Sequence, residues 1–147
     1  MSKLPDWIQA HIDLYREDPE KGHLWDSSVV GGPGPLPCLL LTTIGRKSGK
    51  KRTLPLLYGE CDGGLIIVAS KGGAPAHPLW YLNLVANPQV EVQVASEVFS
   101  AEAKTVSDDD RERYWDLMAK IWPFYNDYQA KTDRQIPLVF LRPLKKS

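Results

Sequence analysis

Residues 39–87 read LLLTTIGRKSGKKRTLPLLYGECDGGLIIVASKGGAPAHPLWYLNLVAN, and the order of elements in this stretch decides the fold. An apolar run ends at Ile44, and a loop follows with five cations in seven positions: Arg46, Lys47, Lys50, Lys51 and Arg52. A second strand, 52–58, contains Pro55, which has no N–H to give and so belongs at a sheet edge or a bulge. Asp62-Gly63-Gly64 is a tight hairpin turn, and residues 65–70 form a third strand leading into Ser70-Lys71-Gly72-Gly73. Pro78 and Asn87-Pro88 bracket a short helix. Two cationic loops therefore stand at strand ends, and their glycines let backbone approach a ligand closely. Residues 36–43 are apolar enough for a strand buried on both faces. Ahead of it, GGPGPLP at 31–37 holds three prolines and three glycines, which break regular structure and predict a rigid crossing loop.

On the N-terminal side, residues 5–19 have helical periodicity. Pro5 suits the first turn and Asp6 its positive end. Trp7, Ile8, Ile12 and Tyr15 share one apolar face, and Pro19 stops the helix. That face docks on the domain, or alternatively serves as a lid or a weak membrane-surface contact. Asp13, Glu17 and Asp18 on the polar face argue against strong binding to anionic lipid. On the C-terminal side, Val90, Val92 and Val94 alternate with polar residues as a half-buried strand requires, and 97–105 is its hairpin partner. Ser107 caps a helix whose first turn carries Asp108, Asp109 and Asp110, and which turns Tyr114, Trp115, Met118 and Ile121 to the core. Residues 122–128 (WPFYNDY) are an aromatic cluster broken by proline, and 136–142 close the chain as a strand. The predicted class is α+β, mainly antiparallel β. A small β-barrel with flanking helices closes such a sheet without exposed edges.

The chain has 147 residues, zero formal net charge, 43% hydrophobic and 24% charged residues, which suits one soluble domain. The division expected is an N-terminal helix and connecting loop over 1–30 and a barrel over 36–143. No apolar run nears the roughly 18 residues of a membrane span, and the start lacks a signal peptide, which points to the cytoplasm. Cys38 and Cys61 form no CxxC pair, and His11, His23 and His77 lack metal-ligand spacing. No nucleophile–base motif is present, so a bound cofactor would carry any difficult chemistry. Three readings fit the cationic loop: a solvated turn, a nucleic-acid contact or an anionic small-molecule site. A neutral chain without a wider basic face argues against nucleic acid. The Ser70-Lys71 pair at the rim of the sheet favours the small molecule. Trp80 is either core or a wall for a flat heteroaromatic ring, with Asn83 one turn on.

The segments LLLTTIGRKSGKKRTLPLLY, IIVASKGGAPAHPLWYLNLVANP and WPFYNDYQAKTDRQIP resemble the deazaflavin-dependent nitroreductase and quinone reductase family. These are actinobacterial proteins that use coenzyme F420, a two-electron deazaflavin hydride carrier. The resemblance runs from about Pro37 to Pro143 and implies a split β-barrel like that of FMN-binding reductases. It implies that Arg46, Lys47, Ser48 and Arg52 hold the phosphate and oligoglutamate tail. Thr53, Leu54, Pro55, Leu56 and Leu57 would line the cofactor. Val68, Ala69, Ser70 and Lys71 would hold the ribityl chain and ring system, with Leu79, Trp80, Tyr81, Leu82 and Asn83 beside them. Tyr125 would stand near the ring and, with Tyr128 and Trp122, line the substrate pocket. Ser70, Tyr125 and Tyr128 are the implied catalytic residues. The implied reaction is hydride delivery to a menaquinone-like quinone, with activated nitroaromatics as fortuitous acceptors. An FMN-dependent reductase or oxidase of the same barrel, and a non-catalytic F420 carrier, are the alternatives. Trp122 stands where members active on nitroimidazoles carry tyrosine, and Leu79 where methionine is frequent. Oligomeric state is left open.

Overall fold

The computed structural model describes residues 6–26 and 34–144. Its frame is an antiparallel sheet of β1 (Leu24–Asp26), β2 (Pro35–Ile44), β3 (Lys51–Leu57), β4 (Gly59–Cys61), β5 (Gly64–Val68), β6 (Gln89–Val94), β7 (Glu97–Thr105) and β8 (Leu138–Pro143). The hydrogen-bonded order is β1-β2-β6-β7-β8-β5-β4, with β3 joined to β2 off that path. Around the sheet lie α1 (Asp6–Glu17), α2 (Pro19–His23), α3 (Leu79–Ala86), α4 (Asp108–Ile121) and α5 (Phe124–Ala130). The fold is α+β, a curled, mainly antiparallel half-barrel with flanking helices.

Two strands have both faces covered, and their sequences show why. In β2, Leu39 and Leu41 enter the barrel interior with Ile67, Val92 and Trp80, whereas Leu40 points the other way onto Ile12 and Tyr15 of α1. In β5, Leu65 and Ile67 face the interior, while Ile66 and Val68 meet Met118, Tyr125 and Ile136 in a second core. Alternate residues of a strand point to opposite faces, so a strand covered on both sides must be apolar throughout. Each such Leu or Ile contributes roughly 1.5–3 kcal/mol on full burial.

The apolar face of α1 docks on the sheet, with Ile12 and Tyr15 buried. The Tyr15 hydroxyl accepts the Ala95 N–H at 2.8 Å and lies 2.9 Å from the Cys38 carbonyl and 3.1 Å from that of Gln93. Burial pushes its pKa up to about 12, so it stays protonated and can donate to either carbonyl. Ala95 has φ of 53° in the β6–β7 turn, a left-handed conformation costly for a residue with a Cβ. The tyrosine therefore helps hold that turn in its strained shape.

Several expectations are revised. Pro19 does not only end a helix: Asp18 caps the next one by accepting the Lys21 N–H, and proline suits its first position. β1 has three residues, too few to show a period, yet it pairs with residues 35–37 of β2. The segment ahead of residue 30 therefore contributes a strand to the sheet as well as helices. Pro35 and Pro37 stand within β2 rather than in a crossing loop, and residues 31–33 of that loop lie outside the described residues. Among the described residues no ladder joins β3 to β4 or β5, and the curled sheet is the split form of barrel that the resemblance implies. Pro55 does lie on a strand paired on one side only, as its missing N–H requires. Ser107 occupies the cap of α4, but its hydroxyl bonds the Asp110 carboxylate instead of a backbone N–H. The aromatic segment is helical from Phe124, with Pro123 at its cap.

Replacing Tyr15 by Phe removes the acceptor of the Ala95 N–H while keeping the ring. Stability should fall by about 1 kcal/mol, toward the low end of the cost of leaving a backbone donor unpaired, because Ala95 is half-buried. For a chain of this size the thermal midpoint drops by roughly 2–4 °C per kcal/mol. Urea unfolding measures the loss; an unchanged midpoint would mean that water replaces the hydroxyl.

Candidate cofactor site

A cleft of about 620 Å³ opens between α1, the β2–β3 turn, β3 and the start of α3. Gln9, Ile12 and Arg16 form one wall; Gly45 to Ser48 and Lys51 to Leu54 form the other; Leu79, Trp80 and Asn83 close the end. Arg16, Arg46, Lys47, Lys51 and Arg52 line it, with no carboxylate among the lining residues. None of these five cations enters an ion pair among the described residues. Unpaired cations around an acid-free cleft attract polyanions and repel one another when it is empty.

The turn that carries most of this charge is tied down by uncharged groups. Asn83, 7% exposed, accepts the Arg46 N–H at 3.1 Å and donates to the Thr43 hydroxyl at 3.3 Å. The Gly45 N–H reaches the Lys50 carbonyl at 2.8 Å, and the Ser48 hydroxyl accepts the Lys50 N–H at 3.2 Å. Gly49, with φ of 71°, makes the left-handed step that brings the turn round. The Thr42 and Thr53 hydroxyls bond across the strands at 2.8 Å. Ser48 thus shapes the turn internally as well as lining the cleft. Trp80 is 7% exposed, so only a margin of its ring meets the cleft, while Leu79 on the same helix is 64% exposed.

Ser70, Lys71, Trp122, Tyr125 and Tyr128 do not line this cleft. The structure gathers them into a second neighbourhood, where α5 packs against the turn at Lys71–Gly73. Gly73 has φ of 82°, and a Cβ there would come within 2.6 Å of the Tyr128 carbonyl oxygen and 2.9 Å of its Cα. The missing side chain at Gly73 makes room for α5, not for a ligand. Trp122 and Tyr125 are each 6% exposed, within the second core. Burial raises the Tyr125 hydroxyl well above the ordinary phenolic range, so it stays protonated. Tyr128 is half-buried; its hydroxyl accepts from the Trp122 indole N–H at 3.3 Å, which leaves its own proton to donate. Val68 packs in the second core and Ala69 in the barrel interior with Trp80, so one strand end spans both neighbourhoods. Of β3, Leu54 and Leu56 pack on the barrel interior and Leu57 on the second core, whereas Thr53 and Leu54 reach the cleft. Tyr81 and Leu82 are half-buried on α3 outside the cleft lining.

Two residues in these neighbourhoods gave no sequence signal as site residues. Arg134 donates to the carbonyls of Ala74 at 2.8 Å, Ser70 at 2.7 Å and Ala69 at 3.3 Å, and meets His77 Nδ1 at 3.0 Å. A guanidinium only donates, so Nδ1 must accept and His77 is the neutral, Nε2-protonated tautomer. Burial first, and then the Arg134 charge, hold the imidazole below its ordinary value. The partners lie 57 to 65 positions away in the chain, so no local pattern could reveal them. Arg16 is the other: the periodicity of α1 marks its apolar face and is silent about a cation pointing into a cleft.

Comparison with known proteins gives a consistent answer. The pattern of the F420H(2)-dependent quinone reductase family matches residues 14–143. An F420H(2)-dependent quinone reductase of Mycobacterium tuberculosis strain H37Rv is 44% identical over 112 residues, 74% of this chain and 75% of its own. A solved F420-H2 dependent reductase, FDR-A, superposes with a TM-score of 0.66 at 45% identity, over 71% of this chain and 93% of that one. HutZ, the haem storage protein of Vibrio cholerae, is similar in fold alone: TM-score 0.52 and 21% identity, over 74% of this chain and 82% of its own.

The His77 contact has a pH signature. With its folded pKa below the ordinary 6.5, the imidazole contributes to holding the 69–77 loop above that value. That contribution is lost as pH falls below 6.5, because protonation removes the acceptor and sets two cations together. Amide hydrogen exchange in residues 69–77, corrected for intrinsic rate, should therefore speed up between pH 7.5 and pH 5.5, and His77→Gln should flatten the change. A flat profile in the unaltered chain would show that Arg134 holds the loop without the histidine.

Proposed function

Because the chain belongs to the F420H(2)-dependent quinone reductase family, we propose that it binds the reduced deazaflavin in the cationic cleft and passes a hydride to a quinone. The observation that carries this reading is the acid-free cleft, five cations deep, ending at the apolar surface of Leu79 and Trp80. An anionic phosphate and glutamate tail attached to a flat heteroaromatic ring has that division of charge. The residues present fit the group.

Arg46, Lys47, Lys51 and Arg52 would hold the phosphate and tail through charge-assisted hydrogen bonds. Leu54, Leu79 and the exposed margin of Trp80 would exclude water beside the ring. When bound, the reduced deazaflavin supplies the hydride, and the chain's share is binding, orientation and a dry, polarised setting. Ser70 and Tyr128 carry hydroxyls able to donate to an acceptor oxygen as it gains charge. Tyr125 and Trp122, behind Tyr128, would fix where that hydroxyl points. The quinone is the acceptor the family name supports; an activated nitroaromatic is a second acceptor class, and Trp122 bears on it through its contact with Tyr128.

The test is a fluorescence titration of the protein with oxidised F420, beside a matched titration with FMN, followed by stopped-flow oxidation of the reduced cofactor by a soluble menaquinone analogue. Tight, salt-sensitive F420 binding and quinone-dependent oxidation are expected. Preference for FMN would overturn the cofactor, and binding without oxidation would make the protein a carrier. Lys47→Ala with Arg52→Ala should weaken F420 binding about ten- to a hundredfold, if each cation contributes roughly 1 kcal/mol or somewhat more. It should also flatten the salt dependence. Unchanged affinity would remove the β2–β3 turn from the site.

A further inference from the structure

We propose that Arg16 on α1 is a binding residue for the carboxylate-rich tail of the cofactor, so that α1 forms the second wall of a tail clamp and makes affinity depend on tail length. The inference rests on the cofactor reading above and deepens it.

Gln9, Ile12 and Arg16 stand at i, i+3 and i+7 on α1, one face of the helix, and all three line the cleft. Ile12 is 2% exposed and packs with Leu40, and the adjacent Tyr15 is fixed by its hydrogen bonds to residues 38, 93 and 95. The helix is thus seated on β2, and Arg16 lines the cleft from α1 while the other four cations line it from the β2–β3 turn and β3. Acids are close by in sequence, yet Arg16 joins no ion pair among the described residues. Asp13 instead accepts from the Gln9 side chain at 3.0 Å.

Charge balance supplies the second line of argument. A phosphodiester carries a single negative charge, and four cations already stand on the turn and β3. A fifth on the facing helix would only add repulsion if the phosphate were all the cleft received. Each glutamate of the tail adds a carboxylate, and a guanidinium fork pairs with carboxylates in two-point fashion. A cation held on the facing wall can reach a chain of carboxylates as it leaves the turn.

The experiment compares oxidised deazaflavin carrying several glutamates with the form that carries none, in titrations of the unaltered chain, Arg16→Gln and Arg16→Lys at two salt concentrations. The unaltered chain should favour the tailed form. Arg16→Gln should weaken the tailed form roughly three- to tenfold and the tail-less form by less than about twofold, the scale of one partly exposed charge pair. It should also lower the salt dependence for the tailed form, and Arg16→Lys should retain most of the preference. A thermal midpoint unchanged in Arg16→Gln, expected for an exposed side chain with no ion pair among the described residues, separates the effect from misfolding. Equal weakening of both forms, no weakening of either, or an unaltered chain indifferent to the tail would overturn the role of Arg16 and leave the cofactor reading standing. An unaltered chain that binds neither form would bring down both.

Discussion

Burial of β2 on both faces is the constraint on which the rest depends. Cys38, Leu39, Leu40 and Leu41 are consecutive and buried, so the strand needs cover on each side. The curled sheet supplies one cover, and α1 supplies the other through Ile12 and Tyr15. The interior position also leaves Cys38 inert, since burial pushes its thiol up to about 12. Once α1 is seated there, Gln9, Ile12 and Arg16 on it line the same cleft as the β2–β3 turn, where the chain reverses with its load of cations. The cleft is a consequence of covering an apolar strand, and its two walls were never independent.

Concentrating charge on a turn destabilises it, and the compensation here is neutral. Asn83 reaches from α3 to bond both Arg46 and Thr43, while Gly45, Ser48 and Lys50 close the turn on itself. A salt bridge would have fixed the turn equally well, but it would have used up the charge. A buried amide holds geometry and leaves the five cations of the cleft without an ion pair among the described residues, the arrangement expected of a surface kept ready for an anion.

Much of this was legible in sequence, for identifiable reasons. The valine alternation at 90–94 lies within β6, which begins one residue earlier, and the hairpin partner at 97–105 keeps its boundaries, because a half-buried antiparallel pair imposes a period of two. The cationic turn, the Asp62-Gly63 reversal and the helix after Pro78 are local signals and also hold; Asp62 and Gly63 both take positive φ, 55° and 80°. What escaped is what depends on distant residues. β1 is a strand only because β2 extends to meet it. Arg134 matters only because the loop at 69–77 comes to it. The glycine-rich loop was read as room for a ligand, and at Gly73 the close neighbour is Tyr128 backbone. Local sequence records that a close approach is needed; it does not record what approaches.

The two neighbourhoods are suited to different kinds of work. Cations on a cofactor's tail interact with it alike before, during and after hydride transfer, so they set affinity and leave the barrier as it was. Only groups beside the reacting centre can favour the transition state selectively, and on the proposed reading those would be the Ser70 and Tyr128 hydroxyls. Their positions are not set by the cleft. Ser70 is placed by Arg134 through backbone carbonyls, and Tyr128 by a helix packed against Gly73 and an indole N–H behind it. Rate would then be sensitive to residues that never touch the cofactor, and affinity to residues that never touch the acceptor. Ala69, in the same core as Trp80 and followed at once by Ser70, is where the two are mechanically joined.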